Sequence, residues 1–277
     1  MLHRQQIKDV SSLRMKKFRD SQRLFLAEGE KLVDELLQSR FQIAGLYASS
    51  PWIVTNFTLI NRKKIPVFET AVHEMERMTA LATPSPVLAV ICIPEPPTLL
   101  SSTAIGHSDA PVNLLLSLLN GPSSGLLLAL DGISDPGNLG TIVRIADWFG
   151  ITTIFCSENT VELYNPKVVQ ATMGSIARVE VQYCNLKTLL EACTGRIPVY
   201  GAFLEGNNIH EEDLSAGGLL LIGNESRGIS ETLEPCVTQK IRIPSYGNSP
   251  FGKAESLNAS TATAILCAEF RRVMNLE

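Results

Sequence analysis

The pattern of apolar and polar positions predicts a first region of mixed helices and strands. Helical periodicity extends from Gln5 to about Ser39, with a break at Glu28-Gly29. After it, short apolar runs bounded by Gly, Pro and Ser are typical of strands. The predicted strands are 43–49, 65–70 and 87–93, and a helix is predicted at 71–81. These elements predict one small α/β domain over residues 1–95.

A second region, residues 126–277, shows clearer alternation. The continuous apolar run Leu126–Leu130 is typical of a strand that is covered on both faces. A helix is predicted from about Leu139 to Phe149, ending at Gly150, and another starts after the Asn165-Pro166 cap and ends at Gly174. Further strands are predicted at 153–157, 199–204, 219–225 and 239–245, and a last helix at about 256–272. This order predicts a parallel sheet with helices on both faces.

Composition fits a globular protein of two modest domains, with 45% apolar and 19% charged residues among 277. Residues 96–125 are rich in Pro, Ser and Gly and are interpreted as a linker, interrupted by a short helix at 114–119. The longest apolar runs are too short to span a bilayer, and the N-terminus has no signal-peptide core, so we expect a cytoplasmic protein without a membrane partner. The six cysteines form no C-x-x-C pair. We therefore expect small buried apolar residues and no metal site.

The net charge of −4 argues against general affinity for nucleic acid, but the charge is unevenly distributed. Residues 1–23 carry seven basic and two acidic side chains, a local charge of +5. Such a patch is either a solvated helix face or a surface that attracts phosphates. The candidate RNA contacts are Arg14, Lys16, Lys17 and Arg19.

Three short stretches place Asn, Glu or Ser among small residues near the predicted ends of buried strands. They are Asp135–Gly150, Leu219–Gly228 and Glu255–Ser260. Because the carboxyl ends of parallel strands share one edge of a sheet, such turns are suited to a ligand that approaches the backbone closely. Three of them in this order predict a ligand site.

Helical spacing leaves the roles of individual polar residues open. Arg144 points away from the apolar stripe of its helix, so it is a solvated arginine or a group aimed at a ligand or partner subunit. Asn138, expected just before the helix, is an N-cap or a ligand contact. Glu225 is a functional carboxylate or an ordinary residue favourable to a helix N-terminus. Ser256 and Asn258 are caps, surface polar groups or part of a ligand cradle.

Other common active-site motifs are absent. The sequence has no G-x-G-x-x-G after its first strand, no G-x-x-x-x-G-K-[ST] and no G-x-S-x-G. A nicotinamide site, a P-loop and an α/β-hydrolase nucleophile are therefore excluded.

With these residues the chain resembles the SPOUT superfamily of RNA methyltransferases, and within it the SpoU (TrmH-like) family that methylates ribose 2′-oxygens in rRNA or tRNA. Three ordered motifs across 126–277 carry the resemblance. The N-terminal segment SLRMKKFRDSQRLFLAEGEKLVDELL, residues 12–37, is similar to a ribosomal-protein-like substrate-binding domain. The matching residues are Asn138, Gly140 and Arg144 in the first motif, Gly223, Asn224, Glu225 and Gly228 in the second, and Ser256, Leu257, Asn258 and Ser260 in the third.

The resemblance implies a deep trefoil knot in residues 126–277, a homodimer and S-adenosylmethionine as cofactor. The cofactor contacts that it implies are Gly223, Asn224, Gly228, Ile243, Ser256 and Leu257. It also implies that Arg144 acts at the reacting hydroxyl, that Asn138 and Asn258 orient the ribose, and that Glu225 holds the loop or the arginine. An arginine is a poor base, so we expect Arg144 to orient a phosphate and stabilise the developing alkoxide.

The sequence departs from the family in three places. The stretch 245–254 is about five residues longer than usual, Gln170 stands where many members have a basic residue, and 101–124 is an unusual insertion. Two alternatives stay open beside the enzyme: a non-catalytic RNA-binding protein on the same fold, and a methyltransferase acting on a base nitrogen, against which the S-L-N-A-S pattern argues.

Overall fold

The computed structural model describes residues 2–95, 110–119, 125–214, 217–247 and 254–274. Within it the chain forms two compact units. The first combines Met1–Glu95 with Glu162–Ala177, and the second combines Pro96–Val161 with Arg178–Glu277. Most of the predicted linker 96–125 and insertion 101–124 lies outside the described residues, except that residues 110–119 form a helix.

The first unit is built on a four-stranded mixed sheet in the order β1-β4-β2-β3. β4 pairs antiparallel with β1 and β2, and β3 pairs parallel with β2. Its strands are β1 (Leu24–Glu28), β2 (Ile43–Ala48), β3 (Val67–Glu69) and β4 (Val87–Cys92). Its helices are α1 (Arg4–Ser12), α2 (Lys16–Gln22), α3 (Glu30–Leu37), α4 (Ser50–Lys63), α5 (Val72–Met78) and α8 (Pro166–Thr172).

The structure corrects the predicted helix over residues 5–39. The segment 24–28 is instead the strand β1, whose register pairs Leu24 with Cys92 and Glu28 with Leu88. Four of its five residues are buried, so tertiary pairing outweighs the local helical pattern. The prediction also gave no element for 50–63, which is the helix α4.

Residues 162–177 join the first unit although they lie between two strands of the second unit in sequence. Glu162 Oε2 accepts a hydrogen bond from the Arg19 guanidinium at 2.6 Å. The rings of Tyr164 and Phe25 lie 4.8 Å apart. As predicted, Asn165 caps α8, accepting a hydrogen bond from the Lys167 amide. The first unit is therefore not continuous in sequence.

The second unit contains a six-stranded sheet in the order β10-β8-β9-β5-β6-β7, in which every pair is parallel. Its strands are β5 (Leu126–Leu130), β6 (Thr153–Ser157), β7 (Glu180–Cys184), β8 (Val199–Asn208), β9 (Gly218–Ile222) and β10 (Gln239–Arg242). Its helices are α6 (Ala110–Leu119), α7 (Pro136–Trp148), α9 (Leu186–Cys193) and α10 (Ala259–Met274). The predicted parallel α/β fold is confirmed, although β7 and α9 were not predicted.

Two helix starts differ from the prediction. α7 begins at Pro136 rather than Leu139, because Asp135 is its N-cap and accepts a hydrogen bond from the Asn138 amide at 2.8 Å. Asn138 therefore lies inside the first turn and is not the cap. α10 begins at Ala259, and the Oδ1 of Asn258 accepts hydrogen bonds from the next amides, as a cap does.

The central strands supply the core of the second unit. β5, β6 and β9 are buried at every position, as expected for strands covered on both faces. All six cysteines are free thiols, and four of them are buried, which agrees with their interpretation as small apolar residues. In the described ranges no helix is long and apolar enough to cross a membrane.

Candidate active site

The loops that carry the polar residues of the first two motifs leave neighbouring strands at the carboxyl edge of the sheet. β5 and β9 are neighbours in parallel register, with Leu130 paired to Ile222. The Asp131 amide donates to the Ile222 carbonyl at 2.9 Å, and the Asp131 carboxylate accepts from the Ser230 amide at 2.8 Å. The pairing of two buried strands therefore fixes the loops that follow them.

The second motif folds back on itself in a tight loop. The Asn224 amide donates to the Gly228 carbonyl and the Gly228 amide donates to the Asn224 carbonyl, both at 2.9 Å. A Cβ on Gly223 would lie 2.2 Å from the Gly228 carbonyl carbon and the Ile229 nitrogen. Gly228 has a φ of +70°, a conformation that favours glycine. Glycine at 223 is therefore required by the loop's own backbone, a reason that the sequence did not reveal.

Glu225 ties the second motif to the first. Its carboxylate accepts hydrogen bonds from the Ser134 amide at 3.2 Å, the Ser134 hydroxyl at 3.0 Å and the Asp135 amide at 3.1 Å. It also accepts from Asn138 Nδ2 at 3.0 Å. Burial raises the pKa of Glu225, but the hydrogen bonds from Asn138 and the backbone outweigh burial and lower the pKa to about 2. The carboxylate is therefore ionised at neutral pH and holds the loop.

The third motif joins through two asparagines. Asn258 Nδ2 donates to Asn138 Oδ1 at 2.8 Å. Asn258 Oδ1 accepts from the Ser260 amide at 2.9 Å and from the Ser260 hydroxyl at 2.6 Å. Glu225, Asn138 and Asn258 thus form one hydrogen-bonded chain, the motif chain, which connects all three stretches.

Asn138 occupies the middle of the motif chain and is buried, with 7% of its surface exposed. Its side-chain nitrogen Nδ2 donates to the Glu225 carboxylate, and its side-chain oxygen Oδ1 accepts from Asn258. This environment favours a positioning role for Asn138 over direct contact with a ribose. Ser134 and Asp135 were not predicted as site residues, although Asp135-Pro136 repeats the cap-and-proline signal of Asn165-Pro166.

Arg144 is exposed on α7, as its spacing predicted. In the described ranges it makes no hydrogen bond or ion pair, and the contacts of Glu225 lie with the loop and Asn138. Trp148, one turn further along the same face, is 84% exposed. The guanidinium is therefore available to a ligand or a second subunit.

The remaining cofactor candidates show a surface suited to an apolar and main-chain contact. Leu257 is 48% exposed, Ser256 is exposed and Ile243 is half-buried. In the described ranges, neither the Ser256 nor the Leu257 amide donates to another main-chain group. These free donors and apolar side chains fit an adenosyl group held largely by backbone groups. Residues 248–253, within the longer 245–254 stretch, lie outside the described residues.

Asn224, another cofactor candidate, is used within the protein. Its Nδ2 donates to the Gly132 carbonyl at 2.6 Å, and its Oδ1 accepts from the amides of Ser226 and Arg227. The side chain therefore shapes the loop. Among the described residues, no group of three or more His, Cys, Asp or Glu side chains could hold a metal ion.

The four predicted RNA contacts differ sharply in exposure. Arg19 is only 2% exposed, pairs with Glu162 and donates to the Leu13 and Arg14 carbonyls. Its guanidinium is a structural group, which corrects its expected role. Arg14 donates to the carbonyls of Arg77 and Met78. Lys16 and Lys17 are exposed, with Lys16 paired to Asp20 and the Lys17 ammonium 4.8 Å from the Phe18 ring centre.

Comparison with known families identifies the two parts of the chain. The SpoU rRNA Methylase family matches residues 125–268, which include all three motifs. The chain belongs to the SpoU rRNA methylase family. An MRM3-like substrate binding domain matches residues 4–89. The predicted family is confirmed, and the parallel sheet agrees with the expected fold, while the trefoil knot stays a prediction.

Three relatives cover almost the whole chain. The 23S rRNA (guanosine(2553)-2′-O)-methyltransferase RlmP of Bacillus subtilis is 28% identical over 96% of both chains. The structure of a TrmH-family RNA methyltransferase from Porphyromonas gingivalis is 35% identical, with a TM-score of 0.78 over 99% of both chains. An AdoMet-bound rRNA methyltransferase from Sinorhizobium meliloti is 28% identical, with a TM-score of 0.77 over 99% of this chain and 97% of the other.

Proposed function

We propose that this protein transfers the methyl group of S-adenosylmethionine to a ribose 2′-hydroxyl of ribosomal RNA in the cytoplasm. The observation that carries the proposal is the motif chain, in which Glu225, Asn138 and Asn258 join three distant stretches into one site. The activity of the Bacillus relative and the AdoMet bound to the Sinorhizobium relative support the substrate and the cofactor.

The cofactor would be held by the loops that follow β9 and β10 and precede α10. We assign its contacts to Gly223, Gly228, Ile243, Ser256 and Leu257, with the Asn224 side chain shaping the loop. When bound, S-adenosylmethionine supplies a methyl group on a positively charged sulfur. Because the loop after β9 is fixed by its own hydrogen bonds, this part of the site needs little ordering when the reactants bind.

Arg144 has the exposure and charge needed to act on the RNA. A guanidinium keeps its proton at any physiological pH, so it is not a general base. We assign it to orient the phosphate beside the reacting ribose and to stabilise the negative charge that develops on the 2′-oxygen. The proton of the 2′-hydroxyl is lost late in the reaction or passes directly to water.

The motif chain positions the groups that contact substrate. The ionised Glu225 fixes the loop 134–138, and Asn138 passes this constraint to Asn258. Asn258 is the more exposed of the two asparagines, so we assign the ribose contact to it and a positioning role to Asn138.

The first unit is proposed to hold the RNA, with catalysis in 126–277. The match of residues 4–89 to a substrate-binding domain supports this division. The segment 162–177 packs with the first unit, so the division proposed as 1–95, linker 96–125 and 126–277 needs this addition. Of the four expected RNA contacts we retain Lys16 and Lys17, which are exposed. Arg14 is also exposed, but its guanidinium donates to main-chain carbonyls.

We also propose a homodimer. Trp148 exposes 84% of its surface beside Arg144 on α7, and a large apolar side chain in that position is typical of an interface. Sedimentation equilibrium is expected to give twice the monomer mass, with Trp148→Glu giving the monomer mass. A monomeric wild-type protein would contradict this proposal.

The test of function is Arg144→Ala, with Arg144→Lys as the matched variant that keeps the charge. Methyl transfer from tritium-labelled S-adenosylmethionine to an in vitro transcript of 23S rRNA should fall about 100-fold or more in Arg144→Ala. Calorimetric binding of the cofactor should be unchanged, because Arg144 is not among its assigned contacts. Arg144→Lys is expected to retain part of the activity.

Three outcomes would overturn this proposal. Turnover in Arg144→Ala equal to wild type would remove the arginine from the reaction. Methylation of a base rather than a ribose, shown by nucleoside analysis of the product, would change the reaction class. A wild-type protein that binds RNA without cofactor heat would be a non-catalytic RNA-binding protein.

A further inference from the structure

One stretch of the first unit is basic without any compensating acid. Residues 36–68 contain four basic side chains and no Asp or Glu, in a chain whose net charge is −4. The four are Arg40, Arg62, Lys63 and Lys64. This stretch lies outside residues 1–23, the basic patch that contains the RNA contacts expected from sequence.

The fold brings these charges to one place. Arg40 lies in the turn before β2, and the other three lie at the end of α4. Lys63 Nζ donates to the Ser39 carbonyl at 3.4 Å, which joins the two segments. A shallow hollow between them is lined by Phe41, Gln42, Lys63 and Lys64, among others.

All four basic side chains are exposed, and in the described part of the chain none forms an ion pair. Cations in the last turn of a helix are favourable to its dipole, which explains Arg62 and Lys63 in part. It does not explain Arg40 or Lys64, which lie outside the helix. The helix dipole of α4 therefore does not account for all four unpaired cations.

The helix whose end carries three of these cations also exposes two apolar side chains. Phe57 is 61% exposed and Val54 is 73% exposed. With Asn61 they follow a spacing of three and seven residues, so they share one solvent-facing stripe of α4 that leads towards Lys64. An exposed phenylalanine on a helix that ends in unpaired cations suits stacking on an unpaired base.

We propose that Arg40, Arg62, Lys63, Lys64 and Phe57, the α4 surface, bind RNA, with the cations on phosphates and Phe57 stacked on an unpaired base. This inference rests on the proposed function, because it takes RNA as the partner. Charge complementarity carries the choice: four exposed cations that form no ion pair in the described part of the chain match a polyanion. A protein partner is the competing occupant.

The test compares two double variants that each remove two exposed positive charges. Arg62→Gln with Lys64→Asn changes the α4 surface; asparagine is chosen because position 64 has a φ of +53°. Lys63 is kept because it contacts Ser39. Lys187→Gln with Arg196→Gln is the matched control in the second unit, where both side chains are exposed.

Binding and methylation are measured with an in vitro 23S rRNA transcript across a salt series. For the α4 variant, the KM for RNA should rise about tenfold with kcat within about twofold of wild type, and the slope of log affinity against log salt should shrink by about 1 to 2. The control should match wild type. Phe57→Leu should raise the KM about fivefold or more without changing the salt slope.

Each measurement can overturn the proposal separately. Equal KM values and salt slopes for the α4 variant and wild type would reject the α4 surface, as would an equal loss in the control. A Phe57→Leu variant with unchanged KM would reject base stacking. If wild type itself transfers no methyl group but its RNA binding depends on Arg62 and Lys64, the proposed function fails while the α4 surface stands.

Discussion

The motif loops of the second unit and the N-terminal basic stretch of the first unit were both assigned a function from sequence, with different outcomes. In the motif loops, residues more than 100 positions apart meet: Asn258 contacts Asn138 at 2.8 Å across a separation of 120 residues. In the basic stretch, one of the four assigned cations is buried in an ion pair and another is bound to carbonyls.

The difference lies in what each residue type demands of its surroundings. Glycines and short amides in a turn constrain the backbone, so their pattern reports geometry. A long basic side chain satisfies many environments, from solvent to a buried carboxylate, so a charge count does not say where it points.

The largest effect is expected for Arg19→Met. Removing the guanidinium leaves Glu162 without its ion pair and the Leu13 carbonyl without a donor. The free energy of unfolding should fall by about 3 kcal/mol, because a mostly buried pair is broken on one side. Urea denaturation measures this, with Lys17→Met as the matched exposed control, expected within about 0.5 kcal/mol of wild type.

The same pair of variants separates structure from binding. Folded Arg19→Met should bind RNA as wild type does, because the guanidinium is not exposed. An Arg19→Met protein of normal stability with weakened RNA binding would restore the role first expected of this residue.

A smaller effect is expected for Gly223→Ala. The added Cβ would meet backbone at 2.2 Å, so the loop must shift, at a cost of about 1–3 kcal/mol in stability and with loss of methyl transfer. Gly228→Asn is the control in the same loop, since its Cβ would meet open space and asparagine tolerates a positive φ. Thermal unfolding should show near-normal stability for Gly228→Asn, and equal destabilisation in both variants would refute the steric argument.

The smallest effect concerns Glu225→Gln. Because the folded pKa is lowered to about 2 from an ordinary 4.5, the carboxylate stabilises the fold above pH 4.5 and this contribution is lost as pH falls towards 2. Its size is about 1 kcal/mol, since the site is partly solvent-screened. The stability difference between wild type and Glu225→Gln should shrink between pH 4.5 and 2, and a constant difference would contradict the assigned ionisation.

Much of the second unit could be predicted from sequence. The runs of β5 and β9 could be predicted because a short, nearly continuous apolar run between turn residues is typical of a strand that is covered on both faces. β1 could not be predicted, since its identity depends on pairing with β4 some 60 residues later in the chain. Local pattern does not contain that pairing.

The candidate active site also combines features that could be predicted from sequence with features that could not. The motifs predicted that the three stretches meet, but not that Asn138 would be buried between Glu225 and Asn258, because a helix start three residues earlier decides its direction. The packing of 162–177 with the first unit also lay beyond local pattern, since it depends on contacts with Arg19 and Phe25.

The central claim is that three separate stretches act as one site through the motif chain. A double-mutant cycle with Glu225→Gln and Asn258→Ala, read out as kcat/KM for RNA methylation, tests it most directly. Because Asn138 links the two residues, the predicted coupling is at least about 1 kcal/mol, with the double variant little worse than the worse single variant. Effects that add within about 0.3 kcal/mol would show that the motifs act independently, contrary to this account.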